Sequence, residues 1–192
     1  FIDKAYERDQ VRGRTDVKFL GFNYRMSELS AAVLEVQIRA LEEQIRRRAV
    51  YAERLAATLE ALPGFRPLRP RSGARCAWWF VLGCLELERL NADRATIVKA
   101  LAAEGIPVWA ALSPAGTLYG TTALRGKRLY PEGRTAPAAF LRDRPYAPGL
   151  CPVAERVAET VLSFPVSPFF TQQDADETAA GVRKVLRHYG AD

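Results

Sequence analysis

The residues best equipped for chemistry stand together at Gly21-Phe22-Asn23-Tyr24-Arg25-Met26. Asn23 carries two amide donors suited to a phosphate oxygen. Arg25 offers a planar guanidinium fork for bidentate anion binding. Gly21 permits a sharp turn before them. Directly behind, Ser27 opens a long helical pattern, and a helix start adds free N–H groups and a dipole that favours negative charge. Two readings follow: the cluster faces an anionic ligand, or it is a helix entry using the same residues structurally.

Other constellations are weaker. The stretch GTTALRGKR (120–128) resembles a phosphate loop, but Gly120 and Gly126 stand one residue too far apart. Arg128 also replaces the hydroxyl residue that would hold magnesium. No G-x-G-x-x-G occurs. Glu42-Glu43 and the Asp174/Asp176 pair lie on helical patterns as solvated carboxylates. The sole histidine, His188, lies near the end of the last helical pattern. Metal sites built on several imidazoles are thereby excluded, and histidine-based triads are disfavoured. Cys76, Cys84 and Cys151 are odd in number and form no C-x-x-C. They read as reduced, mostly buried thiols of a cytoplasmic protein.

The elements that must position the cluster come next. Hydrophobic residues make up 48% of the 192, enough for a real core. The net charge of +6 is spread along the sequence. The densest basic run, Arg46-Arg47-Arg48, has Glu42 and Glu43 one turn back and reads as a solvated helical face. No nucleic-acid-binding signature accompanies it. No apolar run approaches the roughly 20 residues of a membrane span, and Phe1-Ile2-Asp3-Lys4 does not start a secretory leader. The absent initiator methionine suggests a piece of something longer.

Residues 1–20 are charged and aperiodic and read as a loop. From Ser27, an N-cap candidate, apolar residues recur at helical spacing through Leu29, Val33, Val36, Leu41, Ile45, Ala52, Leu55, Leu59 and Leu62, until Pro63-Gly64. An unbroken helix here has about 36 residues and spans roughly 54 Å, more than a small domain. It would bridge two bodies or pack on a partner; a kink near the arginine run is the alternative. Residues 65–70 and 75–87 read as strands around a turn at Ser72-Gly73, with Trp78, Trp79 and Phe80 alternating faces. Asn91 is read as the cap of a helix that ends at Gly105, and 106–112 as a strand. Residues 113–150 read as a long irregular loop, of a length that is usually functional or mobile. A helix over 151–162 starts with Pro152. An edge strand in SFPVSP follows. Thr171 and Asp174 form a capping box for the last helix, to about His188.

The segment GFNYRMSELSAAVLEVQIRALEEQIRRRAVYAERL resembles the DegT/DnrJ/StrS family of PLP-dependent sugar aminotransferases. So does CPVAERVAETVLSFPVSPFFTQQDADETAAGVRKVL (151–186), and the elements between fit in order and spacing. The resemblance implies an α+β (α/β) fold: the small C-terminal domain of a fold-type-I aminotransferase, with a long linking helix and a small, mainly antiparallel sheet covered by helices. It divides the chain into an interface loop (1–26), the linking helix (27–62) and the small domain (63–192). It implies a homodimer with active sites at the interface, where Asn23 reaches the cofactor phosphate of the partner subunit. Tyr24 and Arg25 would line the same site as substrate contacts. The family's histidine after the 106–112 strand has no counterpart in WAALSPAGTLYGTT, and Tyr119 offers a hydroxyl and an apolar face to a substrate ring instead.

The implied activity moves an amino group from glutamate or glutamine to a keto-sugar or keto-cyclitol, with a lean towards keto-cyclitols. The cofactor is pyridoxal 5'-phosphate. Its chemistry requires a Schiff-base lysine and an acid at the pyridine nitrogen, which the family carries upstream of the asparagine motif. None of Lys4, Lys18, Lys99, Lys127 and Lys184 stands in the family's lysine context. The chain alone is therefore expected to be inactive and to need an upstream N-terminal PLP domain. The competing expectation is a non-catalytic, aminotransferase-derived module that binds a partner through the long helix.

Overall fold

The computed structural model describes residues 26–110, 117–126 and 146–190, with the backbone of 6–9 and 14–17. The chain forms two compact units, residues 1–42 and 43–192.

In the first unit, β1 (Tyr6–Asp9) and β2 (Arg14–Val17) pair antiparallel, from Tyr6 opposite Val17 to Asp9 opposite Arg14. This pair replaces the loop expected over residues 1–20. YERD and RTDV lack the apolar alternation that marks a half-buried strand, so backbone pairing had no sequence signal.

The long helix α1 (Glu28–Glu60) is unbroken through the arginine run. Its 33 residues rise about 50 Å. Ser27 caps it: Oγ accepts from the Ser30 N–H at 3.2 Å, and the Ser27 carbonyl accepts from Ala31 at 2.9 Å. Glu43 accepts from Arg46 (2.8 Å) and Arg47 (2.7 Å). Burial changes along the helix. Leu29, Val33, Leu34, Val36, Ile38 and Leu41 are exposed, whereas Tyr51, Ala52, Leu55, Ala56 and Leu59 belong to the core.

The second unit is built on an antiparallel sheet of β3 (Phe65–Pro67), β4 (Phe80–Leu85) and β5 (Val161–Pro165), in that order. Phe65 pairs with Leu85, and Phe80 with Pro165. Helices α2 (Arg94–Ala103), α4 (Pro152–Thr160) and α5 (Gln172–His188) belong to the unit, as does the single-turn α3 (Thr122–Arg125) within the stretch expected to be irregular. Its core joins Leu55 and Leu59, Phe65, Val81, Ile97, Leu101, Phe164, Val182 and Leu186. Side-chain pairs tie the helices together: Arg54 grips Asp176 with two bonds (2.7 and 3.1 Å), and Lys184 meets Glu104. The capping box at Thr171 and Asp174 is complete.

Several local expectations need correction. Asp93, not Asn91, caps α2, its carboxylate accepting from Thr96 at 2.8 Å. Both residue types cap well; α2 begins at Arg94, so Asp93 is the flanking residue whose side chain reaches the free N–H groups of the first turn. The strand expected at 75–87 starts only at Phe80. Trp78 has a φ of +48°, outside the extended region, which buries its own ring and leaves Trp79 75% exposed. The strand expected at 106–112 shrinks, among the described residues, to one bridge between Trp109 and Ser163. Of the cysteines only Cys84 is buried, while Cys151 is exposed at the start of α4.

Candidate functional site

Asn23, Tyr24 and Arg25 lie outside the described residues. The fourth predicted site residue, Tyr119, is in view. It sits in a 3-10 turn, Leu118–Gly120, followed by the short helix α3 (Thr122–Arg125). Its hydroxyl donates to Glu155 on the first turn of α4. Pro152 presets that turn, and the Glu155 N–H is held by the Cys151 carbonyl at 3.0 Å.

Glu155 also accepts from the Gly149 N–H, at 2.8 Å to Oε1 and 2.9 Å to Oε2. Gly149 has a φ of +89°, a left-handed conformation that suits glycine. The carboxylate thus gathers the turn of Tyr119, the 147–150 turn and α4. The Tyr119 hydroxyl, followed by the Gly149 N–H, holds the Glu155 carboxyl below the ordinary range. Partial burial, reinforced by the neighbouring carboxylate, pushes the Tyr119 phenol up. At neutral pH the pair is therefore phenol and carboxylate.

Beside this junction is a cavity of about 260 Å³, lined by Tyr119, Arg125, Tyr146, Pro148, Glu155 and Glu159 among others. That is below the roughly 300–1,000 Å³ typical of drug-sized ligand pockets, and it suits a single ring. Two phenol rings and a proline supply apolar walls. Glu155 and Glu159 share one face of α4 at i,i+4 spacing, and Arg125 brings a cation. Sequence reasoning named Tyr119 but not Arg125, Tyr146, Glu155 or Glu159. The one local signal was the spacing of the two glutamates in PVAERVAET.

PLP requires a lysine facing its pocket. Lys99 is exposed on α2, and Lys184 is paired with Glu104 on the surface. Neither lines the cavity beside Tyr119. Lys4, Lys18 and Lys127 lie outside the described residues. The described residues alone do not fit the cofactor. They also contain no cluster of three or more His, Cys, Asp or Glu fit for a metal ion, and no helix long and apolar enough to cross a membrane.

Comparison with known proteins gives a consistent relationship. The chain is 34% identical over 182 residues to an L-glutamine:2-deoxy-scyllo-inosose aminotransferase of Streptoalloteichus tenebrarius, covering 90% of this chain and 40% of that protein. It is 30% identical over 165 residues to the erythromycin biosynthesis sensory transduction protein EryC1 of Saccharopolyspora erythraea, covering 85% and 38%. The solved aminotransferase of Psychrobacter cryohalolentis superposes with a TM-score of 0.67 at 19% identity, over 94% of this chain and 44% of that one. The chain thus spans about 40% of the length of the curated relatives it matches. Such neighbours carry the fold expected from the sequence: helices around a small antiparallel sheet, the α+β C-terminal domain of a PLP aminotransferase. With residues 3–183 matching its model, the chain belongs to the DegT/DnrJ/EryC1/StrS aminotransferase family.

Proposed function

We propose that the chain is the C-terminal portion of an enzyme that transfers an amino group from glutamine or glutamate to a keto-cyclitol or keto-sugar. Enzymes of this family are PLP-dependent. The observation that carries the reading is the relationship to the glutamine-dependent cyclitol aminotransferase, which extends over nine-tenths of this chain. The phenol rings of Tyr119 and Tyr146 and the Pro148 ring give the cavity apolar walls suited to a ring substrate.

In this proposal residues 1–26 form an interface loop, 27–62 a linking helix and 63–192 the small domain. Asn23 binds the cofactor phosphate of the partner subunit in a homodimer, and Tyr24, Arg25 and Tyr119 contact substrate. The lysine and the acid at the pyridine nitrogen come from an upstream N-terminal PLP domain. The setting is the cytoplasm, in agreement with the unpaired Cys76, Cys84 and Cys151. The exposed apolar residues on the first half of α1 are the kind of surface that another body covers.

The test is amination of a keto-cyclitol and of a nucleotide-linked keto-sugar, each with glutamine and with glutamate as donor, read by mass spectrometry of the product. It is run with the chain alone and with the chain joined to an upstream PLP domain. Product only from the joined protein is expected. Turnover by the chain alone, or none by a joined protein that folds and binds PLP, would overturn the proposal.

A further inference from the structure

We infer that Glu155 is a positioning residue, whose carboxylate clamps the Tyr119 hydroxyl and the Gly149 amide together and so fixes the wall of the ring cavity. The inference rests on the reading of Tyr119 as a substrate-ring contact. Three features carry it. First, the acceptor is shared: one carboxylate bonds a phenol 36 residues away and a backbone amide six residues away. Neither donor segment is a long regular element, so nothing in its own hydrogen-bond ladder holds it against α4.

Second, the post carrying the carboxylate is itself anchored. The Arg94 guanidinium donates to the Ala158 carbonyl at 2.6 Å and the Val161 carbonyl at 3.3 Å, gripping the opposite end of α4. Ala158 packs fully buried on the same helix. The backbone that carries Glu155 is thereby held with α4. Third, the bonds draw on the carboxylate's charge. Oε1 accepts from both the Tyr119 hydroxyl and the Gly149 N–H, and Oε2 shares the Gly149 N–H; an amide can keep its oxygen towards both donors, but it loses the charge and sets its own NH2 against the Gly149 N–H. Aspartate would fall one methylene short. Hydrogen bonds to a charged acceptor are also the strong ones.

The clamp is tested first in the 192-residue chain with Glu155→Gln. Amide exchange at Gly149 should accelerate about tenfold or more, the scale of losing a bond to a charged acceptor. By ¹³C NMR, the Tyr119 phenol should titrate lower. Amides at the Thr171 cap serve as the control and should not move. Tyr119→Phe keeps the test open if Glu155→Gln fails to fold: the Glu155 carboxyl should then titrate higher.

Unchanged Gly149 exchange and Tyr119 titration in Glu155→Gln would overturn the clamp. So would an unmoved Glu155 in Tyr119→Phe. In the complete enzyme, Glu155→Gln and Tyr119→Phe should each raise KM for the ring ketone more than KM for the amino donor. If Tyr119→Phe leaves the ketone KM unchanged while the exchange and titration shifts appear, the clamp stands and the ring-contact reading falls.

Discussion

Leu29 and Leu55 lie on the same helix, yet Leu29 is 78% exposed and Leu55 fully buried. Truncating each to alanine should therefore give opposite results. At Leu55 the change removes three carbons from a site among Leu59, Phe164 and Leu186. At about 0.8 kcal/mol per buried methylene the transfer loss is about 2.4 kcal/mol. The unfilled cavity raises the total to about 2–5 kcal/mol. At Leu29 the surface is already in water, and alanine is at least as good a helix former, so the change stays within about 0.5 kcal/mol. Urea unfolding followed by far-UV circular dichroism and tryptophan fluorescence reads both, provided the slope against denaturant is unchanged. Leu55→Ala takes a large fraction of a typical 5–15 kcal/mol stability. Once an upstream domain covers the first half of α1, Leu29→Ala should also cost more than about 1 kcal/mol. Equal effects of the two variants in the isolated chain would refute the reasoning, because Leu29 would then be buried in solution.

Two further outcomes follow from the second unit. Alanine at Gly83 would push its Cβ into the ring of buried Phe65 and to 2.9 Å from the Arg66 carbonyl. Gly83→Ala should cost about 1–3 kcal/mol, and adding Phe65→Leu should recover part of it; a neutral Gly83→Ala would show that the ring yields freely. Stability should also fall in acid. Hydrogen bonds from Arg46 and Arg47 lower the Glu43 carboxyl from an ordinary 4.5 to about 2. The Thr171 N–H and hydroxyl lower Asp174, Arg54 lowers Asp176, and Tyr119 with Gly149 lowers Glu155. Carboxyls depressed on folding stabilise above their unfolded values and lose that contribution as pH falls through the folded ones. Melting temperature should thus be level above about pH 5 and drop towards pH 2, less steeply in Glu155→Gln. A flat profile from pH 5 to 2.5 would contradict these pairings.

Much of the fold was legible because its signals are local. The Ser27 cap, the Thr171–Asp174 box and Pro152 at the start of α4 each depend on residues within one turn. What escaped depends on distant partners. Trp78 combines a φ of +48° with a ring in the core, a pairing that alternation in the sequence does not encode. Asn91 and Asp93 are equally good caps by type, and the start of α2 at Arg94 is what distinguishes them. Val108 and Trp109 suit a strand by type, yet only Trp109 bridges a neighbour, Ser163. The candidate site divides the same way. Tyr119 was nameable from residue type, while the Glu155 clamp joins segments 36 residues apart and shows only in three dimensions. Asn23, Tyr24 and Arg25 lie outside the described residues, so their assignment rests on the motif.

In the function proposed above, this chain completes an aminotransferase whose lysine lies elsewhere. The direct measurement is intact mass after incubation with PLP and borohydride reduction, with and without an upstream domain. No specific adduct on this chain and a single stoichiometric adduct on the upstream piece are expected. A stoichiometric adduct on any of Lys4, Lys18, Lys99, Lys127 or Lys184 would contradict it, and the active site would then have to be built around that lysine.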